Sequence, residues 1–358
     1  MNDATPRLTS PRRAQTAVPL LVLLAIAATC LGLGAAAHSR SLESWLVGRD
    51  LASFRAGAEH MAMRDNRLDF EDRWILDELP GADRSHGGVY FFGSSPMKWG
   101  LAPWEIPADV RPYVGNYAIG ATDHAMQFQL IRFLVEKEDL LRAGPDKVHL
   151  VLGLYWSMGQ LWKPQGFFGP LWQRHGLYRY DPVAGISEAV HQPWLAAVKR
   201  ERARCSSFIG GNLHRLARLA AITAGVAVTE TDDIQDPRAI REWADRLAVR
   251  DDWQTPLDAQ MDALAQLFDY LDRHQATATI VLLPHRAPFE DLPMPVAYRE
   301  RLRTFCDGRG VPFVDLSRLL AENEFWDMNH SNYAGLMKTH AALMEIAEQR
   351  LRAMGVVP

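Results

Sequence analysis

The sequence predicts an α/β protein built on a parallel sheet, and two periodic patterns support this fold class. Four short apolar runs, rich in β-branched and aromatic residues, have the composition of buried strands. Between them lie long segments whose apolar residues recur three and four positions apart, as in amphipathic helices. Strands that alternate with helices form parallel sheets that helices cover on both faces. The 358 residues, 48% of them hydrophobic, suffice for one large domain or two smaller ones.

The predicted elements follow one another from residue 88 towards the C-terminus. Strands are predicted at 88–93, 148–155, 277–283 and 311–315, with 113–119 as a fifth candidate. Helices are predicted at 126–142, 237–250, 257–274, 296–308 and 333–354. Asp123 and Asn332 are suited to cap the first and last of these helices, because their side chains accept hydrogen bonds from the free N–H groups of a first turn. Ligands of parallel sheets bind beyond the carboxyl ends of the strands, so we expect chemistry just after each strand.

Residues 157–236 interrupt this alternation with a connection of about eighty residues. The segment begins with a run dense in Trp, Phe, Tyr, Gly and Pro, and a helical stretch is predicted at 186–227. Connections of this length are usually functional or disordered, and the aromatic content argues against disorder. Two interpretations stay open: a cap over the active face, or an insertion that only packs against the body of the domain.

The N-terminal region predicts a membrane segment. Residues 14–37 contain no charged residue, and about 20 apolar residues cross a bilayer as a helix. Three arginines precede the segment, so the positive-inside rule places residues 1–13 in the cytoplasm and the rest of the chain across the membrane. We expect a stalk at 38–87 and the main domain at 88–356. A cleaved signal peptide is the alternative, since the alanines at 35–37 resemble a cleavage site, and both interpretations export the main domain.

Composition excludes several functional classes. Three cysteines cannot form a disulfide scaffold, and the sequence contains no zinc-type CxxC, Walker loop, GxGxxG or HExxH motif. A formal charge of −4 argues against nucleic acid as the main partner. The 12 histidines do not cluster with carboxylates as metal ligands do, so we predict neither a metal nor a cofactor. Cys205 and Cys306 can pair in an oxidising compartment only if the fold brings them together.

Two motifs carry candidate chemistry. In Gly93-Ser94-Ser95 the first strand turns into a helix, where a serine hydroxyl meets backbone N–H groups. Near the C-terminus, Asp327 and His330 are three residues apart, a spacing at which the carboxylate can hold the imidazole while its other nitrogen faces a serine. Each motif alone is also compatible with an ordinary turn or a helix cap.

Taken together with Gly120, which follows the serine by about 25 residues, these motifs resemble the SGNH (GDSL-like) hydrolase superfamily. The resemblance covers roughly residues 88–354 and implies a flavodoxin-like three-layer sandwich. It implies that Ser95 is the nucleophile, His330 the general base and Asp327 the residue that orients it. It also implies that Ser95 and Gly120 offer backbone N–H groups to an oxyanion.

The sequence departs from the family pattern at two places. Ser94 replaces the usual aspartate of G-D-S, and the G-x-N-D block that supplies an asparagine donor is absent after the second major strand. Loss of one oxyanion donor costs roughly 10²–10³ in rate. G-S-S behind an N-terminal anchor is more similar to the exported members that acylate cell-envelope polymers, as in teichoic-acid D-alanylation and in alginate or peptidoglycan O-acetylation.

That subgroup implies an O-acyltransferase in the bacterial inner membrane with its main domain in the periplasm. The implied partners are a membrane-bound O-acyltransferase and an envelope polysaccharide that accepts the acyl group. An esterase that removes acyl groups and a catalytically degenerate polymer-binding or scaffold protein are the alternatives. As further candidates, Trp156, Trp162 and Trp172 can stack on sugar rings, and Arg286 can bind an anionic group of the polymer, although packing and a salt bridge are their alternative roles.

Overall fold

The computed structural model describes residues 84–357 apart from 103–104, 121, 160–175, 182–183, 225–236 and 250–251, together with scattered positions between 22 and 42. The predicted segments at 1–13, 14–37 and 38–87 lie outside these residues for the most part. Among the described residues, none of the helices combines the length and the apolar character that crossing a bilayer requires.

A five-stranded parallel sheet forms the centre of the domain, and an antiparallel hairpin lies apart from it. In chain order the strands are β1 (Gly88–Gly93), β2 (Val114–Asn116), β3 (Val148–Leu154), β4 (Tyr178–Asp181), β5 (Gly185–Glu188), β6 (Thr277–Leu282) and β7 (Phe313–Asp315). The central sheet has the order β2-β1-β3-β6-β7, and β4 pairs with β5 in the hairpin. This order is that of flavodoxin-like doubly wound sheets, so the predicted α/β class and all five predicted strands are confirmed.

The described residues from 84 onward form eight α-helices. They are α1 (Ser95–Gly100), α2 (His124–Lys137), α3 (Pro193–Thr223), α4 (Pro237–Ala248), α5 (Gln254–Arg273), α6 (Ala287–Glu290), α7 (Pro293–Arg309) and α8 (Tyr333–Ala353). The side chain of Asp123 accepts the N–H of Met126, and that of Asn332 accepts the N–H of Gly335, so both predicted caps are confirmed. Helix α2 ends five residues before its predicted end, where the backbone of Asp139 takes a positive φ of 49°.

The core surrounds β1 and β3, in which every residue is buried. Helix α8 contacts α1 and β1, while α5 contacts α2 and α7, so the helices form two separate layers. Such burial on both faces explains why these strands are nearly continuous apolar runs and not alternating ones. The predicted three-layer arrangement is therefore present.

The described part of the insertion at 157–236 packs against the body of the domain. It consists of the β4–β5 hairpin and α3, and Tyr178 of the hairpin contacts Phe133 of α2 edge to face, with ring centroids 5.6 Å apart. The aromatic part of the predicted cap, residues 160–175, lies outside the described residues. Cys205 on α3 and Cys306 on α7 are both free thiols, so they do not form the disulfide considered above.

Candidate active site

The turn between β1 and α1 places Ser95 at the edge of the sheet. Gly93 has φ +155°, and a Cβ there would lie 2.4 Å from the carbonyl oxygen of Gly153 and 2.7 Å from Cβ of Met97. Only glycine fits this close approach. The turn therefore stays tight, and α1 begins with the side chain of Ser95 half-buried at the carboxyl edge of β1.

A compact loop, which we call the base loop and define as residues 322–332, carries Asp327 and His330. An isolated β-bridge joins Phe325 to Ser331, and the N–H of Trp326 donates to the carbonyl of His330 at 2.7 Å. The Oδ1 atom of Asp327 accepts the backbone N–H groups of residues 329 and 330 at 2.9 and 2.8 Å. The aspartate thereby closes its own turn and points towards the imidazole.

The structure brings Ser95, His330 and Asp327 into one hydrogen-bonded chain. Nδ1 of His330 lies 2.5 Å from Oδ2 of Asp327, and Nε2 lies 2.9 Å from Oγ of Ser95. The serine and the histidine are 235 positions apart in the sequence. Both distances lie in or close to the range in which a base removes a proton from a nucleophile.

Asp327 is held in its ionised form. Burial by itself raises the pKa of this carboxyl group, but hydrogen bonds from His330 and from the backbone N–H groups of the base loop outweigh it and hold the pKa below its usual value of 3.8. A carboxylate that stays negative is suited to stabilise an imidazolium at His330.

The carbonyl of Gly93 connects the serine turn to the segment around Gly120. It accepts the N–H of Ile119 at 3.0 Å, the side-chain amide of Gln127 at 2.8 Å and the hydroxyl of Thr122 at 3.3 Å. Gln127 and Thr122 are almost fully buried, 2% and 1% exposed. Gly120 follows β2 and lies in a turn between Ile119 and Thr122, at the same edge of the sheet as Ser95.

The indole ring of Trp99 packs against the imidazole of His330. Its ring centroid lies 3.7 Å from that of His330, and the two planes make an angle of 64°. Trp99 lies one helical turn after Ser95 in α1. The side chains of Ser95 and Trp99 therefore contact the imidazole of His330 from the same helix.

The remaining predicted site residues have other positions. Trp156 is 2% exposed and packs against Trp243 and Phe289, so it lacks the open face that sugar stacking requires. Arg286 is 5% exposed and pairs with Glu322, so the salt-bridge alternative describes it and an exposed anion site does not. The candidates Trp162 and Trp172 lie outside the described residues.

Sequence reasoning did not identify Trp99, Thr122 or Gln127. The signal available for Trp99 was its spacing of four from Ser95 on a predicted helix, whereas Thr122 and Gln127 act through a backbone carbonyl, which leaves no pattern of residue types. Among the described residues, no group of three or more His, Cys, Asp or Glu side chains is arranged to hold a metal ion.

No protein-family model matches the chain, and a search of curated proteins finds no match. Among solved structures, a Bacteroides fragilis protein named as a candidate acylhydrolase is similar at a TM-score of 0.38 and 12% identity, over 81% of this chain and 100% of that one. A GDSL-like lipase from Bacteroides thetaiotaomicron is similar at a TM-score of 0.37 and 11% identity, over 79% of this chain and 98% of that one. Identities and TM-scores at this level do not establish a family, so the functional argument rests on the geometry of the site.

Proposed function

We propose that this chain is a serine-dependent enzyme that acts on acyl esters, with Ser95 as nucleophile, His330 as general base and Asp327 as the residue that orients it. The observation that carries the proposal is the continuous hydrogen-bonded chain from Oδ2 of Asp327 through both ring nitrogens of His330 to Oγ of Ser95. This constellation activates serine on several unrelated folds, and it is recognised by geometry and not by sequence position.

The chemistry follows from these contacts. Nε2 of His330 takes the proton of Ser95 as Oγ attacks the carbonyl carbon of the ester, and the negative charge moves to the carbonyl oxygen. The tetrahedral intermediate collapses, the bond to the leaving alcohol breaks, and His330 returns the proton to that alcohol. An acceptor hydroxyl then attacks the acyl-serine with His330 again as base, which releases Ser95. Backbone N–H groups of Ser95 and Gly120 are the proposed donors to the oxyanion.

We further propose that the acceptor is a hydroxyl of a cell-envelope polysaccharide and that a membrane-bound O-acyltransferase supplies the acyl group. Three sequence features support this reading: the uncharged segment at 14–37, the G-S-S turn, and the lack of the asparagine donor after the strand that ends at Leu154. The proposed enzyme is then anchored in the cytoplasmic membrane with its main domain outside.

Two alternatives make different predictions. An esterase would transfer the acyl group to water and would need no acceptor. A scaffold protein without catalysis would have no use for an ordered triad, and the separation of 2.9 Å between Ser95 and His330 favours catalysis over that role.

The serine assignment is tested by Ser95→Ala with Ser94→Ala as the matched control. Ser94 is the neighbouring serine, is 5% exposed and makes no side-chain capping bond, so its replacement leaves the triad intact. We expect Ser95→Ala to lower turnover of a small activated ester by roughly 10³-fold or more, because the covalent step is lost. Equal activity of Ser95→Ala and the wild type would overturn the catalytic assignment.

The effect of added acceptor on product formation distinguishes acyl transfer from hydrolysis. The full chain, solubilised in detergent, is given an acyl-ester donor with and without envelope polysaccharide, and acylated polymer is measured alongside free acid. A transferase forms acylated polymer in proportion to the polymer added, and Ser95→Ala forms none. Free acid at a rate that polymer does not change would identify an esterase.

A further inference from the structure

A buried arginine connects the edge of the sheet to the base loop. Arg286 lies four residues beyond the end of β6 and directly before α6. Its backbone position is determined by the sheet edge, since the N–H of the preceding His285 donates to the carbonyl of Ser317 at 3.2 Å. The side chain extends from there into the base loop and is 5% exposed.

The guanidinium group contacts the base loop at three places. Nε and Nη2 both lie 2.6 Å from Oε1 of Glu322, at the start of the loop. Nη1 donates to the backbone carbonyl of Asp327 at 3.3 Å. The guanidinium carbon also lies 5.9 Å from the ring centroid of Phe325, within the range of a cation–π contact.

The internal bonds of the base loop do not determine where the loop lies relative to Ser95. The bonds that close the loop join Trp326, Asp327, residue 329 and His330 to one another. They preserve the Asp–His pair as a unit, and the ion pair between Glu324 and Lys338 attaches the loop to α8. The contacts of Arg286 are a separate attachment, which joins this unit to the strand layer that also carries the serine turn and so opposes a shift of the loop over the sheet edge.

The charge of Arg286 is matched by Glu322 and is not directed at the carboxylate of Asp327. The Asp327 pKa is depressed by His330 and by backbone N–H groups of the loop, which are the contacts that face the carboxylate. The contribution of the arginine is therefore geometric. A shift of about 1 Å in the position of a catalytic group costs on the order of 10² in rate.

We propose that Arg286 is a positioning residue that holds the base loop so that Nε2 of His330 faces Oγ of Ser95. This inference rests on the proposed function, and it concerns a residue that acts through His330 and does not touch substrate.

The first experiment compares Arg286→Met, Arg286→Lys and the control Arg318→Met in the full chain. Arg318 also follows the sheet edge, but it is 67% exposed and pairs with Glu290 away from the base loop. We expect Arg286→Met to lower kcat for a small activated ester by about 10- to 100-fold with KM changed less than about twofold. Arg286→Lys keeps the positive charge on a single donor nitrogen and should lose less activity than Arg286→Met, and Arg318→Met should equal the wild type.

Chemical rescue separates positioning from folding. Dilute guanidinium ions should restore part of the activity of Arg286→Ala, because the ion can occupy the vacated space between Glu322 and the carbonyl of Asp327, whereas it cannot restore a misfolded chain. A wild-type kcat in Arg286→Met would overturn the proposal, and so would an Arg286→Ala variant that retains its melting temperature and is not rescued.

A readout that needs no ester turnover keeps this test independent of the proposed function. The proton between Nδ1 of His330 and Asp327 should give a low-field NMR resonance, and the nitrogen chemical shift of Nε2 should report its contact with Ser95. We expect both signals to change in Arg286→Met and to stay unchanged in Arg318→Met. If Ser95→Ala kept wild-type turnover and the serine assignment failed, unchanged signals in Arg286→Met would still refute the positioning role.

Discussion

Both carboxylate oxygens of Asp327 have partners, and this determines the tautomer of His330. Oδ1 accepts two backbone N–H groups and Oδ2 faces Nδ1 of the ring, so Nδ1 must carry the proton. Nε2 is then left as the acceptor for the hydroxyl of Ser95. Asp327 thus determines which ring nitrogen faces the hydroxyl of Ser95, as the proposed role of His330 as base requires.

Trp99 restricts the remaining freedom of the imidazole. Its ring centroid lies 3.7 Å from that of His330, so rotation of His330 away from Ser95 would collide with the indole. We expect Trp99→Ala to lower kcat by about 10-fold through loss of this restraint, and Trp99→Phe to lower it less, because a smaller ring still occupies the space. Steady-state kinetics with a small activated ester measures both.

An exposed tryptophan supplies the control for this experiment. Trp194 on α3 is 68% exposed, so Trp194→Ala should leave kcat unchanged. If Trp99→Ala raised KM and left kcat unchanged, Trp99 would be a substrate contact and not a restraint on the base.

At the scale of elements, two connections must keep their relative positions for the site to form. The turn from β1 into α1 carries Ser95, and the segment from β2 to α2 carries Gly120. The carbonyl of Gly93 joins the two, because it accepts hydrogen bonds from Ile119 and Thr122 on the second connection and from Gln127 in α2. Buried carbonyls need partners, so this shared acceptor stabilises both turns together.

Thr122→Val tests this connection with little change in side-chain volume. The variant loses the hydroxyl that lies 2.9 Å from the carbonyl of Ile119 and 3.3 Å from that of Gly93. We expect the free energy of unfolding to fall by about 1–3 kcal/mol, because buried polar atoms lose a partner. Turnover should fall as well, since the N–H of Gly120 is no longer held in place. Urea unfolding and kcat are the measurements.

Thr304→Val on the exposed side of α7 is the matched control and should change neither quantity. A Thr122→Val protein that is destabilised but has the wild-type kcat would show that the contact supports the fold and does not position the N–H of Gly120.

At the scale of the whole molecule, the chain order places the chemistry on one edge of the sheet. Ser95 follows β1, Gly120 follows β2 and Arg286 follows β6, and the parallel strands direct all three connections to the same edge. The base loop follows β7 and reaches the same edge from the far end of the sheet. This is the place where doubly wound sheets bind ligands.

The predicted anchor is tested on the whole chain. We expect the full chain to fractionate with membranes and a variant that begins at residue 41 to be soluble, because 24 uncharged residues at 14–37 match the length of a bilayer span. Membrane fractionation with mass determination of the N-terminus is the measurement. If expression of the full-length gene gave a soluble protein whose N-terminus lies near residue 38, the signal-peptide alternative would be established instead.

The sequence by itself predicted the five strands of the central sheet and singled out Ser95, Asp327 and His330 as candidates for the site. Strand 88–93 was predicted at the bounds that the structure shows, because a strand buried on both faces must be apolar throughout. The spacing of Asp327 and His330 allows the local turn that the structure shows, whereas their predicted roles came from the resemblance to SGNH hydrolases. The caps at Asp123 and Asn332 also follow from local sequence.

Only the tertiary structure decided the contacts that cross between elements. Trp99 against His330, Arg286 against the base loop and Gln127 against Gly93 join residues that are distant in the chain, or pair a side chain with a backbone carbonyl. Neither kind of contact produces a spacing or a composition that a single sequence displays. The burial of Trp156 was also decided by the tertiary structure. An aromatic side chain after a strand can face either the ligand edge or the core. Packing against Trp243 and Phe289 places Trp156 in the core.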